Sequence, residues 1–313
     1  FQAEAGIRER DVTGVQTCAL PILMQAARVA GMLSKSMPES PLNTQCEIRR
    51  YEWREVPRPV GNGHMVVAIG DVHGRADLLT ALYEALAEDV ARMKPERVTA
   101  ILLGDLIDRG PDSLEVLGLA LGGLGAFTKR PVEDICLIGN HDYWLRQAVD
   151  GTLEDEGLRF WGANGGEATW RSFGIGRLVG ARDMIMQTRR RLPEPVQKFI
   201  LSMSASYRVD DYLFVHAGID PRQPLNAQTL KTLCWIRDPF LHPEFWPYEL
   251  TVVHGHTVEW NHGEPLVHDH RIGIDSGAVN TGVLSALVIN SGQMRFVQAW
   301  DEDALAEESR RAG

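Results

Sequence analysis

Three apolar runs, each followed at once by glycine and a polar residue, constrain the fold of this chain most strongly. They are residues 65–69 before Gly70-Asp71, residues 98–103 before Gly104-Asp105, and residues 134–138 before Gly139-Asn140. The polar pairs recur at spacings of 34 and 35 residues, about the length of one β-α-β unit. Residues 76–93 and 113–121, between the runs, show helical periodicity. Because ligands collect at the carboxyl ends of strands in an open α/β sheet, we expect the polar residues to meet at one edge.

The rest of the chain is predicted to complete one α/β domain at residues 56–300. Residues 143–209 interrupt the alternation with helix-favouring sequence, which indicates a helical insertion over the polar edge. Further strand patterns follow at residues 212–215, 250–253, 271–274, 283–289 and 294–299, and we expect the last pairs to be antiparallel. Residues 301–313 are predicted to be a polar, frayed tail. Residues 1–55 are predicted to be a disordered or artefactual extension, since residues 6–22 resemble translated sequencing-adapter sequence.

Charge and cysteine content narrow the classes of partner. The 313 residues carry 32 Lys and Arg against 42 Asp and Glu, a formal net charge of −10. This balance disfavours broad binding to nucleic acid or to anionic membranes. The four cysteines, Cys18, Cys46, Cys136 and Cys234, form no C-x-x-C pair, so neither a zinc ribbon nor a disulfide framework is predicted. We therefore expect a cytoplasmic protein with no nucleic-acid or membrane partner, and the sequence leaves its oligomeric state open.

The polar motifs carry side chains that bind divalent cations. The candidate ligands are Asp71 and His73 in G-D-V-H-G, Asp105 in G-D-L-I-D-R-G, Asn140 in G-N-H-D, His216 in H-A-G and His256 in H-G-H-T. Asp71 and His73 are two positions apart, so an extended backbone would turn both to the same side. Carboxylate, imidazole and amide ligands without thiolate suit Mn²⁺, Fe²⁺ or Zn²⁺. Any one of these residues could be a helix cap or a core histidine, and the joint pattern favours a metal site.

These motifs together resemble the calcineurin-like metallophosphoesterases, and specifically the bacterial branch of the phosphoprotein (serine/threonine) phosphatase family, over about residues 66–297. The resemblance implies a four-layer α-β-β-α sandwich with two divalent metal ions at its edge, Mn²⁺ first among the candidates. It implies that one metal is held by Asp71, His73 and Asp105, and the other by Asp105, Asn140, His216 and His256.

The resemblance also implies a reaction, in which a water activated as hydroxide between the two metals hydrolyses a phosphomonoester. It makes His141 the general acid, oriented by Asp108, and it makes Arg109 and Arg237 the residues that bind the phosphate oxygens. A proton donor is needed because the alkoxide of serine or threonine is a basic leaving group.

Two motif residues leave the substrate open. Asp142 and Ala217 stand where family phosphatases usually carry Glu and Gly, and both variants also resemble symmetrical diadenosine tetraphosphatases. The D-R-G motif ending at Gly110 and the W-I-R-D motif at residues 235–238 favour a protein phosphatase acting on phosphoserine or phosphothreonine. We therefore expect a phosphorylated protein or small phosphoester as substrate. A dinucleoside tetraphosphate hydrolase is the alternative, and a non-catalytic phosphate-binding protein of the same fold is a further one.

Four residues outside the predicted ligand set are assigned structural roles. Asp275 is predicted to be a turn residue, and Trp161 and Trp170 to pack within the insertion. His254 is given at most a supporting role beside the ligands.

Overall fold

The computed structural model describes residues 46–176, 179–261 and 264–312. Most of the predicted extension, residues 1–45, lies outside this part of the chain. The strands are β1 (Glu47–Arg50), β2 (Arg54–Glu55), β3 (His64–Ile69), β4 (Arg97–Leu102), β5 (Glu133–Cys136), β6 (Ser206–Val209), β7 (Tyr212–Val215), β8 (Thr251–His254), β9 (Trp260–Asn261), β10 (Glu264–Pro265), β11 (Arg271–Gly273), β12 (Val283–Asn290) and β13 (Gln293–Trp300). The α-helices are α1 (Ala76–Met93), α2 (Ser113–Gly122), α3 (Asn140–Asp150), α4 (Asp155–Trp161), α5 (Glu167–Ser172), α6 (Ala181–Arg191), α7 (Glu194–Ser202), α8 (Leu230–Trp235), α9 (Ala278–Thr281) and α10 (Glu302–Ala312).

The first sheet has the order β1-β13-β12-β3-β4-β5, with β2 beside β13. Strands β3, β4 and β5 are parallel, and β12 and β13 pair antiparallel, as the sequence predicts. Side chains of β3 alternate between two apolar cores: Met65 and Val67 face the core that contains α1, while Val66 and Ala68 face the second sheet. This strand is buried on both faces, which explains its continuous apolar sequence.

The second sheet has the order β11-β8-β7-β6, and its strands β7, β8 and β11 are parallel. Tyr212 and Phe214 pack between the two sheets, whereas Leu213 and Val215 pack outward against Leu233 of α8. The order is therefore helices, sheet, sheet and an outer layer of α8 with irregular chain. This architecture is the predicted four-layer α/β sandwich.

Three boundaries differ from the sequence prediction. Strand β1 pairs antiparallel with β13, so the sheet begins before residue 56, and this pairing covers an edge of β13. The helical insertion ends at Ser202, because residues 206–209 form β6 of the second sheet. The tail is helical in α10.

Helices α3 to α7 form the insertion, and its contacts bind it to the polar edge of the first sheet. The turn between α4 and α5 places the carbonyl oxygen of Gly165, a residue with φ of 99°, 3.1 Å from the backbone nitrogen of Arg109.

Cys46, Cys136 and Cys234 are free thiols in the described chain. No helix among the described residues is long and apolar enough to span a bilayer.

Candidate metal centre

Five parallel strands from the two sheets deliver polar residues to one edge. Asp71, Asp105 and Asn140 follow β3, β4 and β5, while His216 follows β7 and His256 follows β8. Two groups of metal-binding side chains form there, each with its ligand atoms within 4.8 Å of one another. One group is His73, Asp105 and His141, and the other is Asp105, His216 and His256. Asp105 belongs to both groups, and its bridging role stays a prediction.

The histidine rings in these groups are oriented by backbone carbonyls. Nδ1–H of His73 donates to the oxygen of Ile107 at 2.8 Å, and Nδ1–H of His216 donates to the oxygen of Leu103 at 3.0 Å. Since a carbonyl can only accept, each Nε2 atom carries a lone pair. These lone pairs point inward, at 3.6 Å and 3.5 Å from Oδ2 of Asp105. A histidine held in this way is prepared to bind a metal ion.

The second group contains acceptor atoms that face one another. Oδ1 of Asn140 lies 3.0 Å from Nε2 of His216 and 3.0 Å from Nδ1 of His256. Nε2 of His256 is buried and makes no hydrogen bond within the described part of the chain. Oδ1 of Asn140 and Nε2 of His216 are both acceptors, and Nε2 of His256 lacks a partner whichever of its nitrogens carries the proton, so a cation among these atoms would satisfy them together. The side chains present therefore fit divalent metal ions.

The pKa values of the buried carboxyl groups and imidazoles also favour a bound cation. Burial, followed by the charges of Asp275 and Asp105, raises the pKa of Asp71 well above its ordinary value. Burial opposes ionisation of Asp105 as well, but the positive charge of His141 and the hydrogen bond from its backbone N–H outweigh it and hold the pKa of Asp105 below its ordinary value. Burial lowers the pKa of both His73 and His256 to about 3, which keeps these imidazoles neutral and able to ligate.

Asp71 lies at the site but in neither three-residue group. Its carboxylate accepts hydrogen bonds from the backbone N–H of His256 at 3.0 Å and 3.2 Å, and it lies 4.0 Å from Nδ1 of His216. The prediction that an extended backbone turns Asp71 and His73 to the same side is wrong. Extended alternation does not continue past β3, because His73 has φ of 46° and lies in a turn.

Left-handed backbone is concentrated at this edge. Asp105, Asp108, Arg109 and His256 have φ of 51°, 73°, 68° and 63°. Such conformations cost free energy in residues other than glycine and recur at functional sites. At Gly255 the constraint is spatial, because a Cβ atom there would lie 2.0 Å from Oδ1 of Asp71.

His141 and Asp108 form a buried, hydrogen-bonded dyad. Nδ1 of His141 lies 2.7 Å from Oδ2 of Asp108, and both residues are almost completely buried. Burial acts to lower the pKa of His141, but the charges of Asp105 and Asp108 and the hydrogen bond outweigh it, so the pKa is raised. The dyad can therefore hold a proton at the edge of the first group, of which His141 is itself a member.

The two predicted arginines reach the site from different elements. Nη1 of Arg109 donates to Nε2 of His73 at 3.0 Å, and Nη2 lies 3.0 Å from Nε2 of His141. Arg237 follows α8 and is exposed. Burial is the main cause that lowers the pKa of His216 and His256, and the positive charge of Arg237 is a smaller one. Arg109 therefore contacts two histidines of the first group, whereas Arg237 is related to the second group only through its charge.

Sequence reasoning missed how Asp142 supports the centre. Its carboxylate accepts backbone N–H groups of Asp105 at 2.7 Å, Leu106 at 3.0 Å and Gly139 at 3.0 Å. Its position at the start of α3, three residues after Gly139, is the signal that could have indicated a helix cap. In this chain Asp142 fixes the backbone of the shared residue Asp105.

Trp161 and Asp275 contact residues of the site directly, which was not predicted. Nε1 of Trp161 donates to both oxygens of Asp108 at 2.9 Å, and Oγ1 of Thr169 donates to Oδ1 at 2.6 Å. Asp275 accepts the backbone N–H of Gly277 at 2.9 Å, as a turn residue does, but it also contacts Asp71. Burial raises the pKa of Asp275 to about 6.

Comparison with known proteins agrees with this geometry. A model of the calcineurin-like phosphoesterase family matches residues 64–275. The chain is 40% identical over 84 residues to a symmetrical bis(5'-nucleosyl)-tetraphosphatase of Klebsiella pneumoniae, which covers 26% of this chain and 25% of the relative. The match to the Ectopseudomonas mendocina enzyme of that name is 38% identical over 80 residues, with the same coverage. This chain thus spans about a quarter of the length of the curated relatives it matches.

A solved structure whose assignment as a diadenosine tetraphosphatase is provisional is 22% identical, with a TM-score of 0.49 over 75% of this chain and 94% of that one. The family match covers more than half of the chain and spans the strands, the ligand groups and the dyad. This chain belongs to the calcineurin-like phosphoesterase family.

Proposed function

We propose that this protein hydrolyses phosphomonoesters of alcohols, and that its substrates are phosphoserine or phosphothreonine residues in proteins. The observation that carries the proposal is the buried His141–Asp108 dyad, with Nδ1 2.7 Å from Oδ2 and with the pKa of His141 raised. An alkoxide leaves poorly unless it receives a proton, whereas a nucleotide phosphate leaves more easily without one. A proton donor built into the site therefore favours an alcohol as the leaving group.

Two divalent ions would be held by Asp71, His73, Asp105, Asn140, His216 and His256, with Mn²⁺ as the first candidate and Fe²⁺ or Zn²⁺ as alternatives. When bound, such ions polarise phosphoryl oxygens and make water acidic enough to attack phosphorus near neutral pH. The imidazoles, amide and carboxylates of the site supply the neutral and anionic ligands that these metals accept.

The other residues act on the substrate directly. Arg109 already points two guanidinium nitrogens into the site, where they would donate to phosphoryl oxygens. Arg237 would bind another phosphoryl oxygen as charge develops. His141 would give its Nε2 proton to the departing oxygen, while Asp108 stabilises the imidazolium through Nδ1.

The substrate class can be tested with purified protein and Mn²⁺. We would measure phosphate released from phosphoserine and phosphothreonine peptides and ADP released from diadenosine tetraphosphate. We expect peptide turnover that is lost in His141→Asn and retained in His242→Asn, a matched control at an exposed histidine. Rapid ADP release without peptide turnover would overturn the proposal.

A symmetrical dinucleoside tetraphosphate hydrolase is the second candidate. It is favoured by the local identity of 38% to 40% to two enzymes of that name, and by Asp142 and Ala217 in the motifs. Such an enzyme would release ADP with little dependence on His141, since its leaving group is weakly basic. The same His141→Asn variant therefore distinguishes the two candidates.

A further inference from the structure

The loop that carries His256 needs support from outside the ligand set. Residues 254–259 leave β8 through Gly255, whose N–H donates to the oxygen of His216 at 2.8 Å. His256 then takes a left-handed φ of 63°, and Thr257 N–H donates back to the oxygen of Gly255 at 2.7 Å. A histidine pays free energy for this conformation, so surrounding contacts must hold it.

Arg271, a buried residue of β11, binds both ends of this loop. Its side chain is 1% exposed. Nη1 lies 3.3 Å from Nε2 of His254 and also donates to Oε2 of Glu259, while Nη2 donates to Oε1 of Glu259 at 3.1 Å. His254 and Glu259 are the first and last residues of the loop. One guanidinium group therefore joins the two ends on either side of His256.

The hydrogen bonds of this network are mutually consistent. Nδ1 of His254 lies 3.0 Å from the oxygen of Gly255 and must donate to it, which leaves Nε2 to accept from Arg271. The side chain of Glu259 is 20% exposed and makes the paired contact that a buried guanidinium requires. Nη2 of Arg271 also lies 3.3 Å from the oxygen of Leu241, which ties the network to the outer layer.

We propose that Arg271 and Glu259 are positioning residues that hold the His256 imidazole in place for a metal ion. His256 reaches Asn140 at 3.0 Å, and its ring centroid lies 5.2 Å from that of His216. Release of the loop end at Glu259 would let the left-handed turn relax and move the imidazole away from those partners. The inference rests on the metal site of the proposed function.

Metal binding by the full chain tests this role without any substrate. EDTA-treated wild type, Glu259→Ala and a control variant, Asp269→Ala, would be titrated with Mn²⁺ and followed by electron paramagnetic resonance of the free ion. Asp269 is an exposed carboxylate two positions from Arg271, so its removal matches the loss of charge. We expect Glu259→Ala to bind one of two Mn²⁺ ions about 10- to 100-fold more weakly, as found for partners of metal ligands. The affinity of Glu259→Ala for the other ion, and both affinities of Asp269→Ala, should stay within about twofold of the wild-type values, well below that loss.

Two results would overturn the inference. One is that Glu259→Ala binds both ions like wild type, and the other is that both ions weaken equally, which would indicate a general structural role. If circular dichroism shows that Glu259→Ala is unfolded, Glu259→Gln, which keeps an oxygen for Nη1, is judged by the same criteria. A wild type that binds fewer than two Mn²⁺ ions would overturn this inference and the proposed metal site together, whereas failure of the phosphopeptide assay alone would affect only the substrate class.

Discussion

Replacing Asp108 by Asn removes the charge behind His141 and leaves the candidate metal ligands in place. The carboxylate of Asp108 is completely buried and accepts hydrogen bonds from His141, Trp161 and Thr169. Asparagine has a similar shape but only one accepting oxygen. The change therefore tests the dyad with little change in the volume of the core.

The expected magnitude follows from the contact between Nδ1 of His141 and Oδ2 of Asp108 at 2.7 Å. A hydrogen bond to a charged group contributes about 1.5 to 3 kcal/mol. Its loss would lower the pKa of His141, because the hydrogen bond and the charge of Asp108 both favour the imidazolium. In wild type the raised pKa keeps the imidazolium populated to higher pH, so the variant should lose its proton donor at lower pH. Turnover of an alkyl phosphate should then fall about 10- to 100-fold on the alkaline side.

The assay compares two leaving groups between about pH 5.5 and about pH 9. A phosphoserine peptide needs a proton on its leaving oxygen, whereas 4-nitrophenyl phosphate releases a stabilised phenolate. We expect Asp108→Asn to lower kcat/KM for the peptide and to shift the alkaline limb of its pH profile downward, with little change for 4-nitrophenyl phosphate. Trp161→Phe removes one donor but keeps the Asp108 charge, so its peptide activity should fall less than about threefold.

Equal losses for both substrates in Asp108→Asn would refute the role of the dyad in protonating the leaving group. An alkaline limb that does not move would refute the link between Asp108 and the pKa of His141.

Three further predictions concern stability. Removal of Mn²⁺ by EDTA should lower Tm by about 10 °C if the ion is present at about 1,000 times its Kd, which corresponds to about 4 kcal/mol; an unchanged Tm in calorimetry would contradict a metal-stabilised fold. Desolvation of its carboxyl group raises the pKa of Asp134 from 3.8 to about 6, although the residue as a whole is exposed. Its contribution to stability therefore falls as pH rises from about 4 to about 6, by only a fraction of what a fully buried carboxyl would lose, because solvent screens the charge. Urea unfolding should therefore show wild type losing stability relative to Asp134→Asn over that range, and a difference that is constant with pH would contradict this. Asp142→Ala leaves three backbone N–H groups without their acceptor, and it should lower the free energy of unfolding by at least about 2 kcal/mol; a smaller loss in urea would show that Asp142 does not hold the Asp105 turn.

The central strands and the first helix were predictable because their patterns are local. Residues 65–69 are continuously apolar because β3 is buried on both faces, and the leucine stripe of α1 follows the helical period. The polar edge was predictable for a topological reason, since parallel strands bring their carboxyl ends together. These two signals predicted that Asp71, Asp105 and Asn140 meet at one edge, whereas His141 was assigned as the general acid and not as a possible ligand.

Contacts between distant segments were not predictable. Trp161 lies 53 residues from Asp108, and only the packing of the insertion brings its N–H to that carboxylate. Strand β1 has the mixed sequence Glu-Ile-Arg-Arg, and its partner β13 lies almost 250 residues later in the chain. The left-handed turns at His73 and His256 depend on tertiary contacts, so no local residue preference indicates them.

The most direct test of the metal centre is anomalous X-ray diffraction at the manganese edge, from crystals grown with Mn²⁺. We expect two anomalous peaks, one beside His73 and Asp105, and the other among Asp105, Asn140, His216 and His256. Peaks elsewhere on the protein, or no peak among these side chains, would contradict the dinuclear site and the hydrolysis proposed from it.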